Sequence, residues 1–263
     1  MSIPQNPVSV TLYNFRKYCT TESDFAATLE KLCKIGYRTV QVSGVPLDPK
    51  IIKKQLDSFG LHCCATHESI DAIRGSSEAL IEKMQILNCD FTASGSPGKI
   101  DFTSPEVTAE LAAAFNRQGE ALAAAGIKLG YHNHAFEFTK LNGSNQIMLE
   151  KFMDLTAGHN VYAELDVHWV ARGGGNPSSW IKKLAGRISV IHLKDFTIVE
   201  NNPIFCEIGM GNLDWDDILN ACKATGVRWY TIEQDNPFPN RDVFDSTKIS
   251  FDNLSAMVEK LNN

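Results

Sequence analysis

The sequence predicts a closed (β/α)8 barrel, a TIM barrel, filling residues 1–263 as one domain. Three observations predict it. Eight short apolar or β-branched runs alternate with eight stretches of helical spacing. Such alternation specifies parallel strands joined by helical crossovers. No linker, composition break or low-complexity tract divides the chain, and eight units at this length close on themselves. An open dinucleotide-binding sheet would want GxGxxG after its first strand. The nearest approach, Gly209-Met210-Gly211, is too short and comes too late.

The first strand is expected over 8–13, followed by a helix over 22–35. That helix has Phe25, Leu29, Leu32 and Cys33 at helical spacing, and Gly36 stops it. A β-branched strand over 38–43 precedes a helix over 49–59, which stops at Gly60. The third strand, 61–66, runs into His67, and a helix follows over 77–87. A strand over 91–93 leads to a loop at 95–98. Ser104-Pro105-Glu106 opens an alanine-rich helix over 107–125 that ends at Gly126. The fifth and sixth strands, 127–133 and 161–167, flank a helix over 145–155. Asn176-Pro177 starts a helix reaching 184, before a strand over 187–193. A helix over 214–224, a strand over 227–233 and a helix over 245–261 complete the eightfold rhythm.

Composition narrows the function classes. Hydrophobic residues at 43% and charged residues at 21% suit an ordinary globular core. A net charge of −6 argues against a nucleic-acid backbone as main partner, which demands a basic face. No apolar run approaches the ~20 residues of a membrane span. The seven cysteines are odd in number, form no CxxC pair and sit mostly in apolar runs, as reduced core cysteines do. With no basic and apolar leader visible, a cytoplasmic location is expected.

A barrel gathers the C-terminal ends of its strands at one mouth, where its chemistry sits. Strand three ends in His67, strand five in His132-Asn133-His134 with Glu137 beyond, and strand seven in His192-Leu193-Lys194-Asp195. Strand eight ends in Glu233-Gln234-Asp235. On strand six, Glu164, Asp166 and His168 share one parity. Each has a bland reading: a hydrogen-bonded strand-end histidine, a capping Asp166, a Glu233 paired with lysine, a buried Glu164 paired with a base. Cys63-Cys64 reads as core and Gly173-Gly174-Gly175 as a plain loop. Taken together, Asp166, His192 and Glu233 supply O and N donors without thiolate, a set that suits Mn²⁺, Mg²⁺, Co²⁺ or Zn²⁺.

The chain resembles the sugar phosphate isomerase/epimerase superfamily of xylose isomerase-like TIM barrels. The resemblance rests on YHNHAFEF (131–138), ELDVHWVARGG (164–174), GRISVIHLKD (186–195), GMGNLDW (209–215) and TIEQD (231–235). It implies one divalent metal held by a strand-five carboxylate, Asp166, His192 and Glu233. Where relatives read LEN or LEV, this chain has Tyr131-His132-Asn133. Glu137 is therefore expected as the fifth-strand ligand, with His132 as the substitute. Relatives also carry a His three residues after the strand-six Asp. Here His168 is two after it and Trp169 takes the third place.

The resemblance implies a small carbohydrate substrate, an isomerase or epimerase reaction and, as an oligomer, a homodimer. Imidazole titrates near neutral pH, so His132 and His134 are candidate acid–base groups. Lys194 is a candidate for steadying developing negative charge, and His67, His168 and Trp169 for contacting substrate. The alternative is a dehydratase or lyase on the same barrel, of the inosose or keto-sugar type. A metal-dependent nuclease is disfavoured by the acidic charge, and a non-catalytic sugar-binding barrel by the intact Asp166, His192 and Glu233.

Overall fold

The computed structural model describes residues 5–96 and 98–262. Pro97, in the loop expected at 95–98, lies outside the described residues. Eight parallel strands form a closed barrel: β1 (Val8–Thr11), β2 (Thr39–Val42), β3 (His62–Glu68), β4 (Phe91–Ser94), β5 (Lys128–His132), β6 (Val161–Asp166), β7 (Val190–Leu193) and β10 (Trp229–Ile232). Each pairs with its neighbours in sequence, and β10 closes the ring against β1 through Ser9 and Thr231. An antiparallel hairpin, β8 (Asp195–Val199) and β9 (Asn202–Cys206), stands outside the ring.

The helices are α1 (Glu22–Ile35), α2 (Pro49–Ser58), α3 (Ile70–Arg74), α4 (Ser77–Leu87), α5 (Pro105–Ala123), α6 (Met148–Leu155), α7 (Val167–Arg172), α8 (Pro177–Lys183), α9 (Trp215–Thr225) and α10 (Val243–Asn262). Their ends follow from side-chain capping of orphan N–H groups. Ser104 accepts from the Val107 amide at 3.1 Å, with Pro105 in the first turn of α5. Asp214 accepts from the Asp217 amide at the start of α9, and Gly226 ends it with φ 75°. No helix among the described residues is long and apolar enough to cross a membrane.

Four features depart from expectation. The sixth strand stops at Asp166, because its carboxylate caps α7 by accepting from the His168 and Trp169 amides at 2.9 and 3.2 Å. His168 therefore does not continue the strand parity of Glu164 and Asp166. The seventh strand begins at Val190 rather than 187, since Arg187 turns aside to donate to the Val161, Met153 and Thr156 oxygens. The hairpin after β7 and the short helix α3 had no counterpart in the expected rhythm.

Two-residue periodicity layers the barrel interior. Its lower end is an apolar plug of Cys64, Ala65, Phe91, Ala93, Val190 and Trp229, with Tyr162 packed against it. Gly130 makes room for that plug: a Cβ there would sit 2.5 Å from Phe91 Cζ. One step further along the strands, Glu164 follows Tyr162, His192 follows Val190 and Thr231 follows Trp229. The interior thus turns from apolar to polar within one layer, toward the strands' C-terminal ends.

Candidate active site

A cleft of about 480 Å³ opens at the C-terminal end of the barrel. Its lining includes His67, His132, His134, Glu233 and Asp235, with Tyr13, Ser43 and Gly44 from the first two units. The strand register sets its floor: His132 lies beside Glu164 and Asp166 beside His192. Asp166, His192 and Glu164 are fully buried, and His132 and Glu233 are 2% and 5% exposed.

Buried charge survives only where it is paired and hydrogen-bonded. Glu164 is the hub of the lower part. Its Oε1 accepts from Gln41 Nε2 at 2.7 Å. Its Oε2 lies 3.3 Å from both His132 Nδ1 and His192 Nε2, and contacts His67 Nε2. His192 in turn reaches Gln41 Oε1 at 2.7 Å through Nε2 and Glu233 Oε2 at 2.8 Å through Nδ1. Burial opposes charge on His192, but Glu164 and Glu233 overcome it and raise its pKa to about 10. Burial likewise opposes ionisation of Glu164, yet His192 and His67 hold it well below the usual carboxylate range. His132 goes the other way: burial pushes it down to about 3, so it is neutral.

Lys194 organises the upper part. Its Nζ lies 3.0 Å from Asp235 Oδ2, 3.1 Å from Glu233 Oε2 and 3.3 Å from Asp166 Oδ2. Trp169 and Phe205 cover it, with ring centroids 5.1 and 5.5 Å away. Asp166 Oδ1 is committed to the α7 cap, whereas its buried Oδ2 has no hydrogen-bond partner. Burial raises the Asp166 pKa to about 7, with Lys194 opposing the rise and Glu233 adding to it.

Among the described residues, two groups of side chains bring ligand-capable atoms within 4.8 Å of one another: His132, Asp166, His192 and Glu233, and His67, His132, Glu164 and His192. The first fits a divalent cation. It offers two oxygens and two nitrogens; on Asp166, Oδ1 is held by the α7 cap while Oδ2 meets Lys194 at 3.3 Å.

Glu137, the expected fifth-strand ligand, belongs to neither group. Its carboxylate is fully buried behind β5, where Oε1 accepts from Tyr131 Oη at 3.0 Å and Oε2 from the His134 amide at 2.8 Å. It braces the turn after β5 instead. His132, the substitute, belongs to both groups.

His67 and His134 face the cleft as expected, but Lys194, His168 and Trp169 do not line it. Lys194 is 1% exposed inside its carboxylate cage. His168 is buried and packs edge-on to Trp169 and Phe196, and Trp169 lies behind His134, 5.6 Å between centroids. Gln41 was missed, and Asp235, named at the end of strand eight, was given no role. Gln41 had a signal: one amide inside the β-branched run Thr39-Val40-Gln41-Val42 needs a buried partner.

The family described as xylose isomerase-like TIM barrel matches this chain over residues 29–249. An inosose dehydratase from Clostridium botulinum is 25% identical over 250 residues, covering 81% of this chain and 82% of its own. A sugar phosphate isomerase/epimerase from Parabacteroides distasonis superposes with a TM-score of 0.81 at 22% identity, covering 97% of this chain and 96% of its own. An L-ribulose 3-epimerase does so with a TM-score of 0.71 at 17% identity, covering 97% and 96%. At these identities the two structures speak for the fold.

Proposed function

This chain belongs to the xylose isomerase-like TIM-barrel family, and from that premise we propose that it is a divalent-metal-dependent isomerase or epimerase. Its substrate would be a sugar, keto-sugar or sugar phosphate, and its reaction the movement of a proton on the carbon beside a carbonyl. The observation that carries this is the convergence of His132, Asp166, His192 and Glu233 at the floor of a cleft lined by His134, whose buried Nδ1 has no hydrogen-bond partner.

Those four side chains would hold the ion, in place of the set containing Glu137. A divalent cation bound there supplies Lewis acidity toward substrate oxygens. The chain's own groups do the rest. His134 lines the cleft, and burial together with Lys194 lowers its pKa to about 4. It is neutral at pH 7, so a ring nitrogen has a lone pair to accept a proton. Once protonated it is a strong acid and returns the proton readily. His67 faces the same cleft from β3 and is positioned to contact a substrate oxygen. Lys194 acts one step removed, holding Asp166, Glu233 and Asp235 in place as their shared countercharge.

One observation favours a second reading. The inosose dehydratase likeness covers four-fifths of this chain, and an elimination needs a second acid–base group, which His67 would provide opposite His134. Incubation with keto-sugars and inososes in ²H₂O with Mn²⁺ separates the two. Solvent deuterium on the α-carbon of a product that keeps every oxygen of the substrate supports the isomerase; loss of water supports the dehydratase; observing neither would sink both. Glu233→Gln should lower kcat/KM by about 10²-fold or more, the scale for losing one preorganised electrostatic group. Full activity in that variant would remove Glu233 from the site.

A further inference from the structure

We propose that the barrel contains a second divalent-cation site, one layer deeper, formed by His67 Nε2, His132 Nδ1, His192 Nε2 and Glu164 Oε2. It shares two imidazoles with the site proposed above but uses neither Asp166 nor Glu233 as a direct ligand.

The spacing is that of a tetrahedral ion. Zn–N and Zn–O bonds of about 2.0 Å give a tetrahedron with edges of about 3.3 Å. Glu164 Oε2 stands 3.3 Å from His132 Nδ1 and 3.3 Å from His192 Nε2. His67 Nε2 closes on the same oxygen. The three rings enclose it, with centroids 4.6 to 5.3 Å apart. His132 Nδ1 is buried and meets that Glu164 oxygen without an aligned hydrogen bond.

The surrounding contacts are those that orient metal ligands. A ligating imidazole typically gives its other nitrogen to a carboxylate, carbonyl or hydroxyl, and a ligating carboxylate is itself hydrogen-bonded. His67 Nδ1 meets Ser43 Oγ at 3.0 Å. His192 Nδ1 meets Glu233 Oε2 at 2.8 Å. The second oxygen of Glu164 accepts from Gln41 at 2.7 Å. Gln41 Oε1, 2.7 Å from His192 Nε2, is a further oxygen donor at the same point. His67 and His132 line the cleft and give an ion its route in. Three imidazoles to one carboxylate select Zn²⁺ or Co²⁺ over Mg²⁺ and Mn²⁺.

Cobalt tests this without reference to turnover. Four-coordinate tetrahedral Co²⁺ absorbs strongly in the visible, and six-coordinate Co²⁺ weakly. Purified full-length protein titrated with Co²⁺ should show the intense band, and Asp166→Asn should keep it. His67→Ala and Glu164→Gln should each reduce it at least tenfold. Only a weak six-coordinate spectrum in the parent protein would overturn the proposal. So would an intense band that survives both lower-site substitutions, or one lost in folded Asp166→Asn. Should His67→Ala and Glu164→Gln fail to fold, Ser43→Ala decides: Co²⁺ affinity should drop by about 10–100-fold, and unchanged affinity would refute the site. Failure of the isomerase reading leaves these spectra unaffected, because Asp166→Asn cripples the upper site alone.

Discussion

Lys194→Met removes one ammonium and keeps most of its aliphatic stem. The parent side chain lies within 3.0–3.3 Å of three carboxylate oxygens and is 1% exposed. At an effective dielectric of about 20, each such contact is worth about 5 kcal/mol of Coulomb attraction before desolvation is subtracted. The net cost of stranding one side of a buried ion pair is about 3–5 kcal/mol. At about 2–4 °C per kcal/mol for a chain of this size, melting should fall by about 6–20 °C.

The pH dependence has a definite sign. Asp166 is already raised to about 7 by burial despite Lys194, and losing the ammonium raises it further. Protonating it relieves the repulsion, so the penalty should be largest above pH 7 and shrink toward pH 5. Mn²⁺ should restore more stability to the variant than to the parent, since a cation takes the missing charge's place. At 100 times its dissociation constant, a ligand of the folded state contributes about 2.7 kcal/mol. The assay is thermal melting at pH 5 and pH 8, with and without Mn²⁺. A drop below 2 °C at pH 8, or a larger drop at pH 5, would refute Lys194 as the countercharge of the cage.

Glu137→Gln should flatten the pH dependence of stability. Burial raises the folded pKa from 4.5 to about 7, so the parent loses stability as pH climbs from 4.5 to 7, by about 3 kcal/mol; denaturant titrations at pH 5 and 8 check this, and an unchanged slope would show that Glu137 folds ionised. Gly130→Ala drives a Cβ to 2.5 Å from Phe91 Cζ and should cost about 1–3 kcal/mol by overpacking. Adding Phe91→Leu should recover part of that loss in urea unfolding, and no recovery would place the strain elsewhere.

The fold was legible because its punctuation is local. Helix α1 spans 22–35 as expected, bounded by the Thr21 cap and Gly36, and α4 spans 77–87, begun by Ser76. The site was legible as far as strand parity carried it. Asp166, His192 and Glu233 point into the barrel because alternate residues of a strand share a face. Parity failed where a side chain changed the backbone's course. Asp166 caps α7 and so swings His168 out of line. Glu137 failed for a different reason. Two donors six and three residues back in the chain, Tyr131 Oη and the His134 amide, capture its carboxylate before it can turn inward. The contacts of Glu164 with Gln41 and His67 span 123 and 97 residues; the local sequence tells that Gln41 and Glu164 need buried partners but not which residues those are.

Those long-range contacts leave the interior short of positive charge. Glu164, Asp166, Glu233 and Asp235 carry four negative charges when ionised, and His192 and Lys194 return two. Desolvation punishes such an imbalance, and the group that yields is the one with the weakest compensation. That group is Asp166, pushed toward neutrality while Glu164 and Glu233 are held ionised by their cationic neighbours. Its Oδ2 meets Lys194 at 3.3 Å, the longest of that ammonium's three carboxylate contacts. An excess of carboxylate charge, surrounded by convergent oxygen and nitrogen donors, is the electrostatic setting that suits a divalent cation. On the function proposed above, the chemistry turns on which layer a cation would enter. Near Asp166 and Glu233 it would face the cleft. Between His67, His132, His192 and Glu164 it would sit deeper, where every donor but the cleft-facing imidazoles is sealed from solvent.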